Sequence, residues 1–155
     1  MLRMTAKEYQ ELLRQQAMKK PGNKHHNKIV YIYADGLVSE YKGLSGHGDI
    51  VRRYDSKKEY NRHKELELLE RSGKISNLRW QVPILLQDGV TDAAGKKIRP
   101  IFYTADFTYV ENGMDIVEDV KGIDRIDGKP RTTEAFRLKW KLLAARYPDR
   151  IFRIF

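Results

Sequence analysis

The chain has no cysteine among its 155 residues. Disulfides, thiolate catalysis and cysteine-type zinc sites are therefore excluded, which agrees with a reducing compartment. No run of eighteen apolar residues occurs, and the first twenty residues carry charge throughout. The sequence thus predicts neither a membrane span nor a secretory signal, and the expected location is cytoplasmic. Internal repeats and low-complexity stretches are missing as well. The length suits one real core and is short for two, so a single domain with one site is expected.

What is abundant is charge, unevenly spread. Residues 1–28 hold seven Lys/Arg against two acids and residues 121–155 hold ten against four, whereas the middle holds thirteen against fifteen. Basic flanks around a slightly acidic centre suggest a polyanion held by the periphery and a cation held in the middle. For charge alone, a solvated surface explains the pattern equally well.

Residues 5–19 place Ala6, Tyr9, Leu13 and Ala17 near helical spacing, and Pro21-Gly22 ends that pattern. Residues 28–54 alternate around Asp35-Gly36, a two-residue turn, and continue into a loop with Gly43, Gly46 and Gly48. This predicts a β-hairpin followed by a mobile flap. Ser56 and Glu59 form a capping box that opens a helix to about Ser72, with Gly73 as its stop. Strands are expected at about 78–87, 99–110 and 114–121, then a helix from Thr132 or Thr133 to about Tyr147, and a last strand in "RIFRIF". The order predicts an α/β fold, a mixed central sheet flanked by helices.

The stretch "DFTYVENGMDIVEDVK" (106–121) concentrates acids in strands, where β-propensity disfavours them. Asn112-Gly113 is a strong hairpin signal, and a type I′ loop pairs Glu111 with Met114. Partners then sum to 225, which sets Asp106 opposite Asp119 and Thr104 opposite Lys121, all on one face. Opposed carboxylates lie roughly 5 Å apart and repel by about 3 kcal/mol at an effective dielectric near 20. They can share a proton, take Lys121 as counter-ion, or bind a hard divalent ion such as Mg²⁺ or Mn²⁺. Glu118 alternates to the other face and reads as structural; Asp115 sits near the turn, where an exposed acid is ordinary.

Glu59 shares a helix face with Leu66, since seven residues at 100° each differ by only about 20°. Spacing alone leaves two roles open to it, a third metal-site acid or simply a capping residue.

At this point the order Glu59, Asp106, Asp119, Lys121 resembles the PD-(D/E)xK nuclease superfamily, an acid on the first core helix, an acid on a strand, then acid-x-Lys. The longer segments "DSKKEYNRHKELELLERSGKISNLRWQV", "ADFTYV", "VEDVKG" and "FRLKWKLLAARYP" resemble a phage-associated family of small endonucleases, over about residues 50–155. That family is distantly similar to archaeal-type Holliday junction resolvases and transposon end-cleaving nucleases. Ala105 stands where the superfamily name expects proline. The resemblance implies a restriction-endonuclease-like core at 50–155, with residues 1–49 as an added N-terminal helix and hairpin. It also implies Mg²⁺- or Mn²⁺-dependent hydrolysis of DNA phosphodiester bonds, in phage DNA metabolism in the host cytoplasm, plausible substrates being branched or recombination-intermediate DNA.

In that reading Asp106, Asp119 and the Val120 carbonyl hold the metal, Glu59 binds or orients metal-bound water, and Lys121 positions the nucleophile or neutralises the transition state. Gln81 resembles a polar residue that some relatives bring to the site, against an ordinary strand amide. His25, His26, His47 and His63 lack zinc spacing and read as surface or flap residues, although His63, within about 40° of Glu59 on its helix, could approach the site as an accessory group. Arg137 and Lys141, with Arg131 nearby, form a basic stripe suited to DNA phosphates, or a solvated face. Phe136, Trp140, Leu143 and Tyr147 read as core, whereas Leu138 and Leu142 point away and suggest cover by the N-terminal helix or by a second subunit in a homodimer. The segment 89–97 lacks the spacing and the Ser/Thr of a phosphate loop and reads as a turn. A non-catalytic nucleic-acid-binding module and an RNA-directed nuclease are the alternatives, because phosphate charge does not report the sugar.

Overall fold

The computed structural model describes residues 28–124 and 126–155. The helix expected over 5–19 lies outside the described residues. The chain divides into two compact units, one ending at Tyr60 and one running Asn61–Phe155.

In the first unit, β1 (Val30–Tyr33) pairs antiparallel with both β2 (Val38–Ser39) and β3 (Ile50–Tyr54), giving the order β2-β1-β3. The Asp35-Gly36 turn is present, with Gly36 at φ 86° and the Asp35 carboxylate accepting from the Leu37 N–H at 3.0 Å. That bond, followed by His47 beside the carboxylate, holds the Asp35 pKa below the usual carboxylate range. The glycine-rich loop expected as a flap is tied down instead. The buried Tyr33 hydroxyl donates to the Tyr41 carbonyl at 2.8 Å and accepts from the Leu44 N–H at 3.1 Å, and His47 Nδ1 lies 2.7 Å from Asp35.

α1 (Lys57–Arg71) starts at Ser56, whose hydroxyl accepts from the Glu59 N–H and donates back to the Glu59 carboxylate. It stops at Gly73, with φ 72° and a pair of closing bonds, Gly73 N–H to Glu70 and Lys74 N–H to Leu69. These are the two bonds of a Schellman cap, and they need the left-handed conformation that glycine adopts without cost.

The second unit is built on a four-stranded sheet in the order β4-β7-β8-β9, formed by β4 (Ile75–Gln87), β7 (Ile101–Glu111), β8 (Met114–Asp119) and β9 (Ile151–Ile154). The first three run antiparallel to their neighbours and β9 joins β8 in parallel. Between β4 and β7 the glycine-lysine segment forms a small hairpin, β5 (Val90–Thr91) with β6 (Lys97–Ile98). α2 (Glu134–Arg146) supplies the crossover to β9, opened by the Thr133 side chain accepting from the Phe136 N–H at 3.1 Å.

Ile116 and Val117, adjacent on β8, point to opposite faces and so mark two cores. One packs Leu66 of α1 with Ile75, Phe107, Tyr109, Ile116 and Val120; the other packs Leu143 of α2 with Ile84, Leu86, Tyr103, Ala105 and Val117. The fold is therefore α/β, a mixed sheet with helices on both faces. Phe136, Trp140 and Tyr147 line the second core as expected, while Leu138 and Leu142 are exposed among the described residues. Among the described residues, no helix is long and apolar enough to cross a membrane.

Candidate active site

Asn112 and Gly113 have φ of 52° and 78°, the signs that a type I′ turn requires. The ladder runs from Glu111↔Met114 to Phe107↔Glu118, each pair summing to 225. One step further, Asp106 faces the end of β8 without a ladder partner there. Its Oδ2 accepts instead from the Val120 N–H at 2.7 Å. Asp119 C=O and Lys121 N–H are both bonded to Phe155 on the β9 side. Alternation then turns the Val120 backbone towards β7, where Asp106 stands.

Asp119, only 3% exposed, takes the Tyr103 hydroxyl on Oδ1 and the Lys121 ammonium on Oδ2. The ammonium also lies 4.6 Å from the centre of the Phe136 ring, a cation–π contact. Burial, and then the negative charge of Asp119, raise the Tyr103 pKa far above that of a free phenol, so this hydroxyl remains a proton donor. Asp106 Oδ1 accepts from the Gln81 amide at 3.2 Å. Lys121 thus stands as counter-ion to Asp119, and three uncharged donors, the Tyr103 hydroxyl, the Gln81 amide and the Val120 N–H, meet the two carboxylates.

Tyr103 was not anticipated, because alternation puts position 103 on the other face from Asp106. The period of two is unbroken at Tyr103, Ala105, Phe107 and Tyr109, all buried, yet the first two enter the α2 core and the last two the α1 core. The β4–β7 ribbon thus turns over at the level of Asp106. Opposite, Gln81 has φ 51°, a left-handed conformation that costs a non-glycine residue about 1 kcal/mol. A sequence that reads as a plain strand gives no signal of that twist.

Glu59 belongs to the first unit, is 8% exposed, and accepts from the Asp55 N–H at 3.3 Å in addition to its bonds with Ser56. His63, expected at the surface, is instead buried in the second unit, packed against Phe107 (5.2 Å) and stacked on Trp80 (6.3 Å), with Nε2 3.7 Å from Glu67. Glu118 is fully buried in a bidentate pair with Arg62, at 2.6 and 2.9 Å, and accepts from Tyr109 at 2.7 Å. Asp115 lies 3.8 Å from Arg150. Of the basic stripe, Arg131 pairs with Asp124 at 3.4 Å, Arg137 reaches the Thr132 carbonyl at 3.5 Å, and Lys141 is exposed.

The cluster suits a hard divalent cation in kind. Two carboxylates and a backbone carbonyl are oxygen donors, and each carboxylate oxygen has lone pairs beyond the one bond described. The Lys121 ammonium on Asp119 shows that this position already stabilises positive charge. Among the described residues, no group of three His, Cys, Asp or Glu side chains is placed to share a metal ion.

Fold and cluster together define an α/β protein whose paired acids and lysine meet at one end of a β-hairpin. A family model described as a protein of unknown function (DUF1064) matches residues 49–154, and the chain belongs to this family. No curated protein matches the chain.

Proposed function

We propose that this protein is a metal-dependent DNA endonuclease that hydrolyses phosphodiester bonds. The observation that carries the reading is the convergence of Asp106, Asp119 and Lys121 at the open end of the β7–β8 hairpin, with the Val120 backbone between them. The order of these residues is the one on which the resemblance to PD-(D/E)xK nucleases rests. That resemblance also motivates branched and recombination-intermediate DNA as substrates.

In the proposed reaction water adds across the P–O3′ bond, leaving a 5′-phosphate and a 3′-hydroxyl. Asp106, Asp119 and the Val120 carbonyl would hold Mg²⁺ or Mn²⁺. When bound, such an ion supplies Lewis-acid stabilisation of phosphate charge and lowers the pKa of water. Tyr103 keeps Asp119 oriented and Gln81 does the same for Asp106, so neither carboxylate must be reorganised to receive charge. Lys121 shifts from Asp119 to the attacking water or the phosphate oxygens, where its positive charge is used. Glu59 enters this proposal from the resemblance alone.

The test is a labelled panel of Holliday junctions, flaps, duplex, single strands and RNA, incubated with Mg²⁺ or Mn²⁺. Cleavage of at least one DNA substrate by the wild type, lost in Asp119→Asn and in Lys121→Ala while DNA binding persists, is the expected result. Glu59→Gln joins the panel to assay its contribution. Wild-type cleavage by Lys121→Ala would reject the assignment, and cleavage confined to RNA would move it to the RNA-directed alternative.

One observation favours a second reading, a nucleic-acid-binding module without catalysis. Each oxygen of Asp106 and Asp119 already has a protein donor, as in a self-contained acid cluster. That reading predicts DNA binding with no cleavage and no metal uptake.

A further inference from the structure

The second unit holds a cavity of about 400 Å³ that the acid-lysine cluster does not use. Its floor is a patch of the α2-side face, Thr108 and Val110 of β7 beside Asp115 and Val117 of β8. The turn-over of the β4–β7 ribbon makes it concave: Arg79 and Asn77 stand at the rim before Gln81, and Pro83 and Ile84 form a wall after it. Tyr147 and Arg150, just past the end of α2, close the other side.

The polar groups here are poorly matched within the protein. Arg79 is exposed, and while its backbone pairs with Thr108 in the β4–β7 ladder, its side chain takes no ion pair or hydrogen bond among the described residues. Arg150 lies over the Tyr147 ring at 4.5 Å from its centre, and its Nε, buried without a hydrogen-bond partner, makes only a long ion pair of 3.8 Å with the Asp115 carboxylate. An orphaned guanidinium N–H is costly unless something else meets the charge. Two arginines against one acid leave the lining net positive. Arginine offers a planar fork suited to phosphate, Thr108 and Asn77 offer hydroxyl and amide groups, and Pro83 and Tyr147 offer apolar surface for a ring. The volume lies at the small end of ligand sites, roughly 300–1,000 Å³.

We propose that this cavity binds a phosphate-bearing nucleotide unit, with the phosphate on Arg79 and Arg150 and the base against Pro83 and Tyr147. The unit is either a free mononucleotide or one nucleotide of a strand. The inference does not rest on the catalytic reading, since none of these residues belongs to the acid-lysine cluster.

The probes are deoxyadenosine 5′-monophosphate, inorganic phosphate, deoxyadenosine, and a 5′-phosphorylated dodecanucleotide with its unphosphorylated twin, all titrated calorimetrically in chelator so that cleavage plays no part. Wild type and Asp119→Asn should bind the monophosphate alike, and more tightly than phosphate or deoxyadenosine. Arg79→Ala, at an exposed position, should weaken it at least about tenfold with an unchanged melting temperature. Thr108→Val, a second and nearly isosteric change, should weaken it less. Stronger binding of the monophosphate than of either oligonucleotide assigns a free nucleotide; the reverse assigns a strand. No monophosphate or oligonucleotide binding at millimolar concentration, or binding indifferent to both Arg79→Ala and Thr108→Val, would overturn the proposal.

Discussion

Glu118 and Asp119 are successive residues of β8, both buried, both bonded to a tyrosine hydroxyl, and both paired with a cation, yet their surroundings differ in kind. On one face, Arg62 closes a planar fork on Glu118, and its guanidinium is capped by the Phe155 ring at 4.0 Å. Although burial disfavours the charged guanidinium, the bonds and charge of Glu118 outweigh it and raise the Arg62 pKa. Tyr109 extends this network to Arg153, which also binds Glu111 at 2.8 Å. On the other face, Asp119 is met by a single ammonium on a flexible stem, whose side chain remains 25% exposed. A guanidinium fork fixes a carboxylate, whereas an exposed ammonium can exchange with water or another cation. Structure is thus built on the Glu118 face, and exchangeable charge is kept on the Asp119 face.

The sharpest way to break this contrast is to remove each cation in turn. Arg62→Ala leaves a fully buried carboxylate without its counter-ion and should cost about 3–5 kcal/mol in denaturant unfolding. Lys121→Ala should cost only about 1 kcal/mol, because water reaches the position that the ammonium leaves. Equal losses would erase the distinction.

Lys121→Ala also sharpens the metal reading. If the proposed ion binds at Asp119, the ammonium would compete with it there, so this variant should bind Mn²⁺ at least as tightly as the wild type while failing to cleave DNA. Weaker Mn²⁺ binding would mean that the lysine belongs to the ion's support.

The two tyrosines bring in pH. Burial, followed by the hydrogen bond to Glu118, pushes the Tyr109 phenol from the usual 10.0 up to about 12. A folded-state pKa raised above the unfolded one adds stability that is whole below about 10 and is lost as pH rises through about 12. Urea midpoints between pH 9 and 12 should therefore fall more steeply for the wild type than for Tyr109→Phe, and parallel curves would contradict the assignment.

The smallest effect concerns the twist that brings Tyr103 to Asp119. Gln81→Gly and Gln81→Ala both lose the amide on Asp106, but only glycine accepts φ 51° freely. The glycine variant should be the more stable by about 1 kcal/mol. A more stable alanine variant would show that the strand is not held in that conformation.

Much of this was legible in the sequence because local chemistry dictated it. Asn112-Gly113 fixed the hairpin register, Ser56 and Glu59 the start of α1, Gly73 its end, and Thr133 the start of α2. The alternation of Glu118 and Asp119 to opposite faces followed from the same register. What was hidden depends on non-local twist. Tyr103 reaches Asp119 only because the β4–β7 ribbon turns over, and alternation read along one strand assigns it to the wrong side. β3 escaped notice because its partner, β1, lies beyond a glycine-rich loop that looked free and is in fact tied to Tyr33 and Asp35. β5 and β6 are two residues each, too short for a periodic signal.

The most direct test of the acid pair is calorimetric titration of Mn²⁺ into the wild type, Asp106→Asn and Asp119→Asn, each checked for an unchanged fold by circular dichroism. Saturable binding by the wild type, weakened at least about tenfold in both variants, is what charge removal at a two-carboxylate site predicts. Absence of binding by the wild type at millimolar Mn²⁺, or binding that both variants retain undiminished, would contradict it.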